Sequence, residues 1–339
     1  MTRHLMSIVD RFPGTRVVIL ADLVLDEFLY GEIARVSREA PVLILEHRSM
    51  DAMPGGGANA VNNVRALGGA PLPVGAVGKD EAGDRLIGLL AEAGIDTTGV
   101  ARLPGYTTPT KTRVLAGLPH CRPQQVIRID RGSRQAASDL ADHAAGAAQR
   151  ALDLLGANVA GVLLSDYGYD LVTPGSAKPV IEAAASKALP VACDSRHRLR
   201  GYRGVTAITP NLEEAEEMLG MRLDDGGPRL DEAARRMLES LACRAVLITR
   251  GSLGMTLLED GVRPLEIPVH GSDQVADVTG AGDTVIAVFT LALAAGATFR
   301  AAAVLANIAA GLSVMKRGTA TVSASELKTA IERLPEDAG

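Results

Sequence analysis

The sequence predicts an α/β domain: a mainly parallel sheet covered by helices on both faces and topped by a small β lid. Three observations carry this prediction. Short unbroken apolar runs recur along the chain, helical patterns alternate with them, and two β-like stretches interrupt the alternation.

The first apolar run is Arg16–Ala21, which ends in Asp22. A strand packed on both faces reads as a continuous apolar run because neither side meets water. The same pattern returns at Val159–Ser165, Leu189–Cys193 and Ala245–Thr249, with helical segments at Ser138–Leu155, Thr173–Ala188 and Leu212–Leu219. Such alternation implies helical crossovers and therefore parallel strands. Ligands of these sheets bind at the carboxyl ends of the strands, where Asp22, Asp166, Asp194 and Thr249 fall. Val42–Arg48 is short and β-like. Thr110–Gly117 and Gln125–Asp130 read as an antiparallel pair joined by Leu118–Pro123, and together these form the lid. Val285–Ala295 is long enough for about three helical turns. Arg300–Lys316 is a second Ala-rich helix, stopped by Gly318. With no repeat and no low-complexity linker, residues 1–339 read as one domain carrying lid segments at about 30–50 and 105–132.

A net charge of -5 argues against a general nucleic-acid binder, and an aromatic content of 3% without Trp argues against base-stacking platforms. The cysteines, Cys121, Cys193 and Cys243, are odd in number and widely spaced, so neither a disulfide framework nor a zinc knuckle is expected. The six histidines show no metal spacing, and Ser165-Asp166 lacks the glycines of a nucleophile elbow. Met1–Phe12 has no continuous apolar stretch, and no run of about 18 strongly apolar residues occurs. A cytoplasmic protein without membrane or nucleic-acid partners is expected.

The most informative stretch is Asp277-Val278-Thr279-Gly280-Ala281-Gly282-Asp283-Thr284. Small residues opening a helix make an anion site, since the first N–H groups lack helical acceptors and the helix dipole favours negative charge. An aspartate there repels phosphate. That conflict suggests a base beside a phosphoryl group in flight, against the plainer alternative of an acid favouring the dipole. A second segment, Pro54-Gly55-Gly56-Gly57-Ala58-Asn59, also opens a helix; taken alone it reads as a turn. No Gly-Lys-Ser/Thr follows either segment, and no GxGxxG occurs in the Asp277–Thr284 stretch, which excludes a P-loop and a Rossmann fingerprint there.

Together the two segments resemble the signatures of the ribokinase or PfkB family of sugar kinases, and the likeness covers nearly the whole chain. Gly75–Gly83, Thr209-Pro210-Asn211-Leu212-Glu213-Glu214 and Thr249-Arg250-Gly251-Ser252-Leu253-Gly254 are similar to further family segments. The resemblance implies a ribokinase-like three-layer domain with a β-sheet lid. It implies that Asp283 takes the proton of a sugar hydroxyl that attacks the γ-phosphate of ATP. Gly280, Ala281 and Gly282 would turn their N–H groups to the transferring charge. Asp22, with Asp26 second, would accept sugar hydroxyls, the alternative for either being a turn cap. Gly55, Gly56 and Asn59 would complete the sugar site. Asn211 and Glu214 would act on Mg2+ through its waters, and Thr249, Gly251 and Gly254 would line the phosphate and ribose side. Asn307 would lie near adenine. Some members hold a monovalent cation near the position of Asp277, and a homodimer through the lid is a family habit that an exposed strand edge would favour.

Within the family, Asp22–Gly31, Val36–Val42, Lys111–Val114, Gln125–Asp130, Ser165-Asp166-Tyr167 and Tyr202-Arg203-Gly204 are similar to bacterial heptose 7-phosphate kinases. That likeness implies phosphorylation of the 1-hydroxyl of a heptose 7-phosphate. Two departures matter. Tyr169 and Asp170 stand where those kinases carry Lys-Gly, and Asp194-Ser195-Arg196-His197 stands for Asp-Pro-Lys-Gly. Arg196 and Arg198 can replace one lysine, with planar forks for a point charge. Lys111, Arg113, Arg35 and Arg196 are the candidates to hold a sugar's phosphate. The nucleotidyltransferase half of bifunctional relatives is not expected, since the chain ends soon after the last helix. The alternatives are another sugar or nucleoside kinase of this fold, and a non-catalytic sugar- or nucleotide-binding protein on the same scaffold.

Overall fold

The computed structural model describes residues 1–117, 123–132, 137–156, 158–223, 228–271 and 276–334, so most of the expected Leu118–Pro123 connection lies outside the described residues. The described elements run, in chain order, α1 (Thr2–Val9), β1 (Arg16–Ala21), β2 (Leu23–Val36), β3 (Leu43–Gly56), α2 (Gly57–Ala66), β4 (Ala70–Gly78), α3 (Glu81–Glu92), β5 (Val100–Leu103), β6 (Thr110–Gly117) and β7 (Gln124–Arg131). They continue with α4 (Ala137–Leu154), β8 (Val159–Asp166), α5 (Pro174–Ser186), β9 (Val191–Ser195), β10 (Ala207–Ile208), α6 (Leu212–Leu219) and α7 (Pro228–Leu241). The last are β11 (Ala245–Thr249), β12 (Met255–Glu259), β13 (Leu265–Ile267), α8 (Ala281–Ala294), α9 (Phe299–Ser313) and α10 (Ala324–Glu332).

Nine of these strands form one sheet in the order β13-β12-β11-β10-β9-β8-β1-β4-β5. Its pairs are parallel except β11–β12 and β12–β13. The apolar runs face two cores. Val17, Ile19 and Ala21 of β1 pack with α2, α8 and α9, whereas Val18 and Leu20 pack with α4 and α5. Strand β8 divides likewise, Leu163 to the first core and Val162 and Leu164 to the second. Unbroken apolar strands are therefore required, as alternation would put polar groups into one core. The α/β class and the mainly parallel sheet stand as the sequence predicts.

The lid is larger than expected. Of residues 42–48, 43–48 are only the first part of β3, which pairs antiparallel with the equally long β2. β2 also runs parallel to β6, and β6 pairs antiparallel with β7, giving the order β3-β2-β6-β7. The chain passes from β1 into the lid at Asp22, so the sheet's carboxyl edge and the lid are joined by one residue.

Helix α8 is the central helix: Val285–Ala292 are all buried, with Ala and Val allowing close approach to its neighbours. It starts at the sheet's carboxyl edge beside the start of α2. Helix α2 approaches that edge so closely that a Cβ on Gly57 would lie 2.4 Å from the Ala21 Cβ and 2.8 Å from the Asp22 carbonyl oxygen. Cys193 and Cys243 are buried free thiols, as expected. No helix among the described residues is long and apolar enough to cross a membrane.

Gly57→Ala is expected to destabilise the fold by about 1–3 kcal/mol, because the methyl group must push backbone aside. Guanidinium unfolding of the two proteins checks this; equal midpoints would show that the strand end yields freely.

Candidate active site

Gly280 caps α8 with φ +78°, and a Cβ there would fall 2.5 Å from the Asn59 Nδ2. Glycine is thus required twice, for the left-handed turn and for the side chain laid against it. Behind it, Asp283 occupies the first turn of α8 and is 3% exposed. Two donors hold its carboxylate: Asn59 Nδ2 donates to Oδ2 at 3.0 Å, and the Tyr167 hydroxyl donates to Oδ1 at 2.5 Å. Asn59 is itself oriented by Asn63, one turn on, whose Nδ2 donates to the Asn59 Oδ1 at 3.0 Å.

These residues border a cavity of about 370 Å³ at the carboxyl edge of the sheet. Its lid wall carries Asp26, Lys111 and Arg113, with Gln125 and Arg128 above them. Opposite lie Asp194, Thr209, Asn211, Glu214 and Thr249, and the floor is Val278–Gly280, Gly282 and Asp283. Arg113 pairs with Asp26 at 2.8 Å. The Lys111 Nζ and the Arg196 guanidinium both lie over the Tyr167 ring, 4.6 and 5.3 Å from its centre.

Burial dominates the electrostatics. It lifts the Asp283 carboxyl to about 6, with the two hydrogen bonds opposing the rise. It lowers the Lys111 ammonium to about 8, helped by the neighbouring Arg196 charge. Asp194 is pushed well above the carboxylate range by burial and then by Glu214 and Asp283, and Glu214 is raised by its own burial. A cavity wall of two mutually repelling carboxyls beside an amide suits a hard cation. Among the described residues no group of three or more His, Cys, Asp or Glu is arranged to cage a metal. That donor set fits Mg2+ held largely by water and phosphate.

Several expected contacts sit elsewhere. Asp22, the favoured sugar ligand, is wholly buried and does not line the cavity. Its carboxylate accepts from the backbone N–H groups of Tyr167, Tyr169 and Val172 at 2.9–3.2 Å, so it ties down the loop after β8. Asp26, ranked second, is the one that faces the cavity. Gly55 exists for it: a Cβ there would lie 2.4 Å from the Asp26 carboxyl carbon. Gly56 borders the cavity, as do Asn211, Glu214 and Thr249. Asn211 and Glu214 also form a reciprocal cap on α6, each side chain accepting from the other's N–H at 2.9 Å. Gly251 lies exposed just beyond Thr249. Gly254 is required by its own backbone and neighbours: its φ is +85° and a Cβ would strike the Ile267 carbonyl oxygen at 2.1 Å. Asn307 is likewise occupied, donating to the Pro268 carbonyl at 2.8 Å. Asp277 accepts from the N–H groups of Thr279 and Gly318, bracing the loop before α8. Of the basic candidates, Arg35 is exposed on the lid away from the cavity. Arg198 pairs with Asp170 at 2.8 Å. The sequence assigns no role to Asn63, Arg128 or Tyr167, and places Asp194 only at a ligand-binding strand end. The i, i+4 spacing of Asn59 and Asn63 on a buried helix face is the signal that could have found Asn63.

The sequence pattern described as pfkB family carbohydrate kinase matches residues 23–326. The chain belongs to that family. Among relatives of this pfkB kinase is the bifunctional protein HldE of Desulfatibacillum aliphaticivorans, 38% identical over 329 residues, covering 96% of this chain. HldE of Azotobacter vinelandii is 40% identical over 324 residues, covering 95%. The chain spans 65% of the length of each of these two relatives. The fold is similar to Arabidopsis thaliana ribokinase complexed with ribose and ATP, with a TM-score of 0.71, 19% identity and coverage of 94% of this chain and 99% of that one. It is also similar to Escherichia coli phosphofructokinase-2 in complex with substrates and products, with a TM-score of 0.72, 18% identity and coverage of 94% and 98%.

Asp22 yields a stability prediction. Burial and the Asp166 charge raise its carboxyl to about 7, above the value of roughly 4 in an unfolded chain. The folded state therefore holds the extra proton between those pH values, and its stability falls as pH rises through that window. The stability of wild type relative to Asp22→Asn is expected to shrink between pH 4.5 and 7.5 in chemical unfolding.

Proposed function

We propose that this pfkB kinase transfers the γ-phosphoryl group of ATP to a hydroxyl of a sugar that already carries a phosphate, the 1-hydroxyl of a heptose 7-phosphate being the first choice. One observation carries the proposal. A buried carboxylate, held by two donors at a helix start, shares a cavity with cations on the lid wall. In the transfer Asp283 accepts the proton of the sugar hydroxyl, whose oxygen forms the new bond to phosphorus as the bond to the ADP oxygen breaks. The first N–H groups of α8, including that of Gly282, would face the charge spread over the phosphoryl oxygens. Mg2+, when bound, neutralises triphosphate charge; Asp194, Asn211 and Glu214 are the residues that would hold it through water.

The acceptor's phosphate is inferred from the cations. Arg113 is paired with Asp26 and Arg128 with Asp130, but Lys111 and Arg196 repel one another beside the Tyr167 ring. An anion between them relieves that repulsion. Asp26 and Gly56 would then receive sugar hydroxyls. Heptose is supported by the segments shared with heptose 7-phosphate kinases and by the HldE relatives. Asp277, through the loop it braces, is where a monovalent cation would act, and the fully exposed β7 is the lid edge through which a second copy would pair.

Asp283→Asn is expected to lower kcat about 10²–10⁴-fold, the range for loss of a positioned base. Wild-type kcat should fall as pH drops through about 6, where the carboxylate takes up its proton. A coupled ADP-release screen of heptose, hexose and pentose sugars, free and phosphorylated, tests the substrate. A preference for free over phosphorylated sugars would refute the phosphate site. ADP release that no sugar raises above the water background would refute the kinase and leave a binding protein on this scaffold.

A further inference from the structure

The loop after β8 is built at unusual expense. Gly168 and Asp170 both have positive φ, +80° and +66°, and the second is not a glycine. A left-handed conformation costs an ordinary residue free energy that the surroundings must offset. Here two buried carboxylates do so. Asp22 accepts from the N–H groups of Tyr167, Tyr169 and Val172, and Asp166 accepts from that of Gly168 at 2.9 Å. Asp166 is held in turn by the hydroxyls of Ser195 and Tyr202, at 2.9 and 2.7 Å. Arg198 closes the far side through its pair with Asp170. None of these groups other than Asp166 lines the cavity. What they fix is the one side chain of this loop that reaches into it, Tyr167.

We propose that Tyr167 is a positioning residue for phosphoryl transfer: its hydroxyl, aimed by the Asp22-anchored loop, orients the Asp283 carboxylate, and its ring seats Lys111 and Arg196 beside the reacting groups. The inference rests on Asp283 being the base. Tyr167 cannot exchange roles with it, because burial and the Asp283 charge push the phenol well above its ordinary range, leaving it a donor. With Tyr167 on Oδ1 and Asn59 on Oδ2, both oxygens of Asp283 have a fixed donor. The other charges facing this carboxylate are Asp26 and Lys111 from the lid and Asp194 from β9, with Arg196 beyond the ring. Asp26 and Asp194 favour its protonated form, Lys111 its ionised form, and the phenol O–H adds to the latter.

Tyr167→Phe keeps the ring and removes only the hydroxyl. Loss of a hydrogen bond to a charged group is expected to move the acid limb of the kcat–pH profile upward by about one pH unit. Near pH 6.5 kcat should fall severalfold and recover toward the wild-type value by pH 8.5, with KM for ATP and acceptor within twofold. Tyr167→Leu, which also removes the ring, should raise KM for the phosphorylated acceptor as well. An acid limb at the wild-type position with kcat within twofold in Tyr167→Phe overturns the inference. Should that variant fail to fold, 3-fluorotyrosine built into the wild-type chain gives the second measurement: a stronger phenol donor should move the limb to lower pH, and an unmoved limb overturns the proposal. Asp283→Asn separates the two levels. Full turnover in that variant removes the base itself, whereas an inactive Asp283→Asn beside an unshifted Tyr167→Phe removes only the role of Tyr167.

Discussion

A carboxylate buried at a helix start, on the floor of a cavity lined by charged groups, is the constraint around which this molecule is arranged. Asp283 gains from the dipole at the start of α8 and loses hydration by its burial. The loss is offset by an amide and a phenol, each delivered by a different part of the chain. Asn59 comes from the first turn of α2, Tyr167 from the loop after β8, and Asp283 from α8. Each donor has its own support. Asn63 turns the Asn59 amide, and Gly280 leaves room for it; Asp22 and Asp166 hold the loop that carries Tyr167.

The sheet and the lid meet this constraint from opposite sides. Parallel strands β1, β8, β9 and β11 end at one edge, which brings Asp166, Asp194 and Thr249 together although they are far apart in sequence. The lid grows directly out of β1, so β2 is aimed over that edge. Its parallel register with β6 sets Asp26 opposite Lys111 and Phe28 opposite Arg113. Carboxylates on the sheet side thus face cations on the lid side across one cavity, an arrangement suited to an anionic ligand that also offers a proton.

Much of the fold was legible because burial on both faces leaves a plain trace. Continuous apolar runs marked β1, β8, β9 and β11, and helical patterns marked α4–α6. The long β2 was missed because its inner half is buried and its outer half exposed, so no single period runs through it. At the site, Asp283, Asn59 and the small-residue loop were legible because glycines next to a helix start are rarely accidental. Asp22 and Asp26 are not separable from the sequence. Both are acids after the same strand, and only the packing shows that one turns inward to three backbone N–H groups while the other turns to the cavity. Gly254 belongs to a family-like segment and Asn307 to the Ala-rich helix, yet in this structure the first packs against neighbouring backbone and the second donates to it.

By itself, then, the sequence determined the α/β class, the presence of a β lid, the small-residue start of α8 and the acid placed in it. These depend on local composition and periodicity, which are properties of short stretches of chain. Tertiary structure alone decided which acid borders the cavity, that Tyr167 donates to Asp283, and that Lys111 and Arg196 share its ring. Those facts depend on residues 29 to 116 positions apart being brought within a few ångströms, and no local pattern records which of two neighbouring side chains a sheet edge will turn inward.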